Sequence, residues 1–508
     1  MIEPAQEKGL DPEIGPYIRT LLEAFGARRT ELSASRTRYR ARLSQGEVAF
    51  LADTAHVRDA EWQVAKAPSS LTERRVELIG GATRPELVNG LNSGAKNYIA
   101  DLWNFTNGEA FNILRAHRNL ERAARMDLAY LPPESGRIRI DPASDTKLQI
   151  GLRPLHVLES ALSIDDEPVP AAFFDLTSVA FQCGRALRER QGGVFLYLRD
   201  VQTQLEARLW AQLFQQVEGS LGWPRGTIRA TIVIDSIPGA LEAEEILFEL
   251  VHHACGLSMD PQAYAADHIA LFTAPDRHTL PDRETIGLNA PFLRALSLYL
   301  IGVAHKRGCH AIGGPSFVLP PKDPEKVKGD HLEMLADKER EAVDGHDGTI
   351  VAHPDHVNAA MVEFNKSMPK ANQLYYMRYE ATTAADLIRR PEGSITVDSL
   401  VSMIRTVLRY QVQHGGGSGW AIQGGRIHDR SSLRFAIRLL WQWARSQHGV
   451  ITATGLDVHQ DLLKYLFRKE AGKMFADRDD QVRKRADAAV ERTLELLHSE
   501  ALPLEPLS

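Results

Sequence analysis

Residues 224–260, PRGTIRATIVIDSIPGALEAEEILFELVHHACGLSMD, constrain the fold more than any other stretch, because they read as strand, turn, helix and strand in succession. The run 228–234 is β-branched and almost wholly apolar, as expected of a strand covered on both faces. Asp235 stands where that run ends. After Pro238 and Gly239, Ala243, Ile246, Leu247, Leu250, Val251 and Ala254 recur at helical spacing, with Glu242, Glu244, Glu245 and Glu249 on the other side. A second short strand, 254–259, follows directly. A carboxylate at the carboxyl end of a buried strand in a βαβ unit is where barrel enzymes place their chemistry.

The same alternation runs through the middle of the chain. Strands are predicted at 75–79, 97–102, 148–153, 194–199, 229–235, 254–259, 310–313 and 348–353, most of them separated by helical stretches. Alternating β and α units imply a parallel sheet, and eight of them imply an α/β fold of the closed (β/α)8 TIM-barrel type. Residues 1–72 read instead as an arginine-rich helical segment, with Tyr17, Leu21, Leu22 and Phe25 at helical spacing. A charged helix is predicted within 322–348. Beyond residue 372 the strand signal stops, and 397–410, 431–445, 460–469 and 482–497 read as helices. The predicted organisation is an N-terminal helical segment (1–72), a barrel (73–375) and a C-terminal helical domain (376–508). The segment HGGGSGWAIQGGRIHDR joins two of the C-terminal helices. No strand precedes its glycines, so a dinucleotide fingerprint is not expected, and the segment reads as a flexible functional loop or, failing that, a plain linker.

Composition removes other classes. The 508 residues carry a net charge of −6, which offers no electrostatic reason for nucleic acid or an anionic membrane as partner. Cys183, Cys255 and Cys309 lack metal-ligand or C-x-x-C spacing and suit a reducing compartment. No apolar run approaches the roughly 20 residues that span a bilayer. The first residues lack an apolar signal core, and the last are not a peroxisomal S-K-L address. A soluble cytoplasmic protein acting on small molecules is expected.

Long segments resemble malate synthase, in its shorter A-type form, and do so in sequence order. They are VELIGGATRPELVNGLNSGAKNYIADL, the 224–257 stretch, LPDRETIGLNAPFLRALSLYLIGVAHKRGCHAIGG, KEREAVDGHDGTIVAHPD and the closing LWQW of 440–443. The resemblance covers about 75–470. It implies a barrel capped by a C-terminal helical domain, with the active site between them. It also implies condensation of acetyl-CoA with glyoxylate, then hydrolysis of the thioester, with Mg2+ as cofactor. In that chemistry an aspartate removes a methyl proton, an arginine stabilises the enolate oxygen and the metal polarises the glyoxylate carbonyl.

Carried over residue by residue, the resemblance makes Asp429 the catalytic base and Arg153, in LRPLH, the enolate-stabilising arginine. Read on their own, Asp429 is a helix N-cap and Arg153 a member of a surface ion pair. The glutamate before the family's base is here His428. Asp235 takes the position of the family's metal-binding glutamate, with a carboxylate shorter by one C–C bond, roughly 1.5 Å, where Mg2+ tolerates little spread. The second metal ligand of the family's G-R-W-D becomes Ala263, which cannot ligate, leaving Asp260 or Asp267 as substitutes. The Glu-Asp pair after the second strand becomes Trp103 and Asn104, predicting a smaller pocket. The lysine and glutamate of the fourth-strand P-K-M-E become Asp200 and Gln202. Asp347, Gly348, Thr349, His353 and Pro354 keep a D-G-T-x-V-A-H-P pattern that reads as a structural strand end. The pair His252 and His253 has no zinc spacing.

Three functions compete on these residues. The first is a malate synthase-like condensation of acetyl-CoA, or another acyl-CoA, with glyoxylate or another 2-oxo acid. The second is a metal-independent lyase, hydrolase or aldol enzyme acting on a different CoA thioester or acid. The third is a non-catalytic ligand-binding descendant of the fold.

Overall fold

The computed structural model describes residues 13–133, 136–164, 167–273, 278–321 and 329–502. Its centre is a closed barrel of eight parallel strands: β1 (Val76–Gly80), β2 (Asn97–Asp101), β3 (Lys147–Gly151), β4 (Val194–Leu198), β5 (Ile228–Ile234), β6 (Ala254–Met259), β7 (His310–Ser316) and β8 (Gly348–Val351). Each pairs with its sequence neighbours, and β1 closes on β8 through Val76 opposite Thr349. All eight predicted strands are present, their ends shifted by a few residues. Every residue of β5 is buried, as its unbroken apolar run requires when helices cover the outside and side chains fill the inside.

The turns at the carboxyl ends of the strands are built on capping residues. Thr203 caps the helix Gln204–Ser220 by accepting from Glu206 N at 3.3 Å. Asp260 caps the helix that follows β6, accepting from Ala263 N at 3.0 Å, with Pro261 opening the first turn. Such caps bring polar side chains and helix N-termini to one rim, the mouth of the barrel.

Helix α1 (Ile14–Ser44) packs on helices Ala171–Ser178 and Gln204–Ser220 and on α2 (Pro261–Leu271). It spans a flank of the barrel. The charged helix α3 (Asp330–Asp344) is also present, while residues 322–328 of that prediction and the two chain ends, 1–12 and 503–508, lie outside the described residues. The C-terminal part comprises α4 (Val397–His414), α5 (Arg430–Trp443), α6 (Gln460–Phe475) and α7 (Asp480–His498). Its apolar faces join the barrel helices in one continuous core. Helix α5 lies against α2, and Arg438 Nη1 donates to Ala266 O at 3.0 Å. Trp443 Nε1 and Gln442 hold the other end of α5 to Leu280. These contacts point the N-terminus of α5 at the mouth.

The glycine-rich connection carries regular structure. It forms a hairpin, β9 (Ala421–Gln423) with β10 (Arg426–His428), whose turn places Gly424 and Gly425 at φ +58° and +75°. Two successive positive φ values need glycine, and they match the twist of a two-residue hairpin. Gly419 lies so close to Phe105 O that a Cβ would sit 2.0 Å from it, and Trp420 Nε1 donates to Glu86 at 2.6 Å. The loop is thereby pinned to the barrel, and β10 delivers His428 and Asp429 to the start of α5.

Candidate active site

Four aspartates from different elements meet around one arginine at the mouth. Arg199 directly follows β4 and is 5% exposed. Its Nε donates to Asp101 Oδ2 at 2.8 Å and its Nη1 to Asp260 Oδ2 at 3.0 Å. Nη2 makes no hydrogen bond among the described residues. Burial alone would lower the proton affinity of this guanidinium, but Asp101, Asp260, Asp235 and Asp429 together raise it, so it is a permanent cation.

Asp429 is the N-cap of α5 and accepts from Ser432 N at 2.9 Å. Burial, followed by the charge of Asp260, pushes its pKa up to about 7. The helix-cap reading of this residue holds, and the same burial moves its carboxyl group toward the range in which a general base works best. Asp235 is partly exposed; its Oδ2 accepts from Asp200 N at 2.9 Å, and its Oδ1 is buried without a partner. Burial and the neighbouring Asp200 push it up to about 8. Although burial opposes its charge, Arg36 and His156 hold Asp200 well below the usual carboxylate range. Arg36 comes from α1, at 2.5 Å from Asp200 Oδ1, so the N-terminal helix sets the charge state of the mouth.

Helix α5 also closes the site from above. Ser431 Oγ donates to Asp260 Oδ2 at 3.0 Å and accepts from Asn104 Nδ2 at 2.9 Å. The Arg430 guanidinium lies 4.1 Å from the centroid of the Trp103 ring, which is 8% exposed and edge-on to His156. The indole is thus enclosed between Arg430 and His156. His428, one residue before Asp429, is driven down to about 3 by burial and by Arg283, and so stands neutral.

Arg153 is engaged elsewhere. Its Nε and Nη2 grip both oxygens of Asp175 at 2.9 and 2.8 Å, and its Nη1 donates to Glu159 at 2.5 Å. His117 Nε2 lies 3.0 Å from the same Asp175. The structure brings Asp235 and Asp429 together around Arg199, while Arg153, just beyond β3, is bound by Asp175 and Glu159. Arg199 was missed in the sequence, although it stands at the carboxyl end of a strand just as Arg153 does.

The residues present do not make a Mg2+ site. Ala263 carries no ligand, and it sits in the first turn of α2 with its N–H on Asp260 Oδ1. The other Asp260 oxygen is taken by Arg199 and Ser431. Asp267 pairs with Arg40 at 2.8 Å and accepts from Ile237 N at 2.9 Å, so neither substitute for the lost ligand is available. Among the described residues no group of three or more His, Cys, Asp and Glu side chains is arranged to hold a metal ion. Asp347, by contrast, is consumed in structure, bonded to His305 and to Ala311 N, and His253 pairs with Glu218.

A parallel βα barrel with a raised-pKa carboxylate and a fixed cation at its mouth defines a class of proton-abstracting enzyme sites. Comparison with known proteins makes this specific. A family model described as "Malate synthase, TIM barrel domain" matches residues 147–390. The chain is 36% identical over 485 residues to the malate synthase of Streptomyces clavuligerus, covering 93% of this chain and 89% of that protein. It is 33% identical to the malate synthase of Myxococcus xanthus, covering 92% and 86%. It is 31% identical to malate synthase A of Escherichia coli, covering 92% and 87%. The chain belongs to the malate synthase family.

Proposed function

We propose that the protein condenses acetyl-CoA, or a closely related acyl-CoA, with glyoxylate or a similar 2-oxo acid and then hydrolyses the thioester. The observation that supports this reading best is Asp429, buried at the barrel mouth beside Arg199 with a pKa near neutrality. In this reading the Asp429 carboxylate takes a proton from the acyl methyl group. The resulting carbanion forms a C–C bond to the 2-oxo carbon, whose carbonyl π pair moves onto oxygen. That alkoxide is protonated, and water then cleaves the thioester to release the CoA thiol and a hydroxy diacid, malate when the acids are acetyl and glyoxylate. Each developing oxyanion needs a preorganised positive charge in a site that excludes water.

Arg153 serves in this reading as a positioning residue, tying the chain just beyond β3 to Asp175 and Glu159. A cleft of about 460 Å3 reaches His428, one residue from Asp429, and its lining mixes Arg283, Lys338 and Arg426 with Asp330, Glu333 and Asp337. The domain limits that accompany this proposal are a clasp over 1–72, a barrel over 73–375 and a capping domain over 376–508.

The test is thiol release from acetyl-CoA in the presence of glyoxylate, with the product identified by NMR. Stoichiometric thiol and malate support the reading. Thiol release that does not depend on glyoxylate, or equal rates in wild type and Asp429→Asn, would overturn it.

A further inference from the structure

We propose that Arg199 has taken over the place and the charge of a divalent cation, so that the 2-oxo acid is bound and polarised by a guanidinium. This deepens the condensation reading and rests on it. Three independent observations carry the assignment. The first is the allocation of carboxylate oxygens. Asp101 Oδ1 accepts from Trp103 N and Asn104 N, both at 2.7 Å, and its Oδ2 holds Arg199 Nε. Asp260 is used on both oxygens by Ala263 N, Arg199 Nη1 and Ser431 Oγ. Of the four aspartates, Asp235 keeps Oδ1 buried without a partner, and Asp429 is bonded only on Oδ1, by Ser432 N, among the described residues. Mg2+ is held by one or two carboxylates while substrate and water complete a near-octahedral shell at about 2.0–2.1 Å, and here the second carboxylate is missing, because Ala263 stands in its place and Asp260 is bonded on both oxygens.

The second observation is charge. A guanidinium fixed between Asp101 and Asp260 already neutralises part of the acidic cluster, and a second cation beside it would meet a permanent like charge. The third is geometry. Nε and Nη1 are spent on carboxylates, leaving Nη2 as a donor that no described residue uses. A planar fork held on two sides by aspartates is preorganised, and its remaining N–H groups suit the carboxylate or the developing alkoxide of a 2-oxo acid.

The experiment uses the full chain, treated with EDTA and desalted. Mn2+ is titrated and followed by electron paramagnetic resonance, glyoxylate binding is measured by calorimetry in EDTA, and thiol release from acetyl-CoA is followed with EDTA or with Mg2+. We expect the free Mn2+ signal to be undiminished, glyoxylate to bind in EDTA, and rates with EDTA and Mg2+ to agree within about twofold. Removing a charged donor costs roughly 10- to 100-fold in affinity, so Arg199→Ala is expected to weaken glyoxylate by that factor. Arg199→Lys, which keeps the charge and guards against misfolding of the alanine variant, is expected to fall between the two. One Mn2+ bound per chain, failure of glyoxylate to bind in EDTA, or activity abolished by EDTA and restored by Mg2+ would each overturn the assignment. Glyoxylate binding in EDTA that depends on Arg199, without thiol release under any condition, would uphold it while overturning the condensation reading.

Discussion

Two buried arginines sit inside the same barrel under opposite rules. Arg74, which precedes β1, is fully buried and faces Glu77, which receives bonds from Arg74 Nε at 2.7 Å and Nη2 at 3.2 Å. Asn97, Gln149 and Tyr197 also donate to Glu77, so the lower barrel holds one acid, one base and a ring of neutral donors. At the mouth, Arg199 faces four aspartates. One charge pair closes on itself and leaves nothing to react. The other leaves surplus negative charge, which appears as carboxyl groups that hold their protons up to near-neutral pH. Stability and chemistry are thus separated along the barrel axis, consistent with reactive residues gathering at the carboxyl ends of barrel strands.

The largest break in this contrast is expected at the base. Asp429→Asn keeps the helix cap, since asparagine caps as well as aspartate, but cannot accept the methyl proton. Its turnover is expected to fall on the order of 10³-fold, within the range of general-base catalysis, in the thiol-release assay. Glu77→Gln should do the reverse. It leaves Arg74 buried without its counter-charge, at a cost of about 3 kcal/mol in denaturant unfolding, while KM for either substrate stays unchanged.

The pH dependence sharpens the comparison further. Asp429 must be ionised to act, so kcat/KM is expected to rise tenfold per unit up to about pH 7 and then level off. Because Asp260 is one of the causes of the raised value, Asp260→Asn, which retains the α2 cap, is expected to move that limb to lower pH. The same carboxyl group carries a stability signature. Its folded pKa lies above the unfolded value, so between about pH 4 and 7 the unfolded chain binds fewer protons than the folded one and stability falls as pH rises. Asp429→Asn removes that loss, and its melting temperature relative to wild type is expected to be higher at pH 8 than at pH 4. The smallest effect is expected for Ser431→Ala, which takes one hydrogen bond from Asp260 and one from Asn104 and should cost about 1 kcal/mol in unfolding.

The barrel was legible because its signal is periodic. Eight apolar runs separated by helical stretches leave few alternatives, and each predicted run became a strand. Asp429 was proposed as the base only through the family resemblance, by counting back from Trp441, whereas the residues on their own announced the helix N-cap that the fold shows. Arg153 and Arg199 could not be told apart in the same way. Both follow apolar strands, and only the fold reveals that Asp175, 22 residues downstream, takes the first. The hairpin β9–β10 was hidden by its glycines, whose composition suggests mobility while their φ values specify a tight turn. The fate of Asp260 was equally hidden, because an N-cap and a metal ligand look alike until the partners of both oxygens are seen.

The most direct test of the account is to exchange the methyl protons of acetyl-CoA in D2O, in the presence of EDTA and a non-condensing acid such as acetate, and follow deuterium uptake by NMR. Wild type is expected to exchange them, with a rate that rises through pH 7 and is lost in Asp429→Asn. Exchange at equal rates in both proteins, or exchange in wild type only after Mg2+ is added, would contradict a mouth built on Asp429 and Arg199.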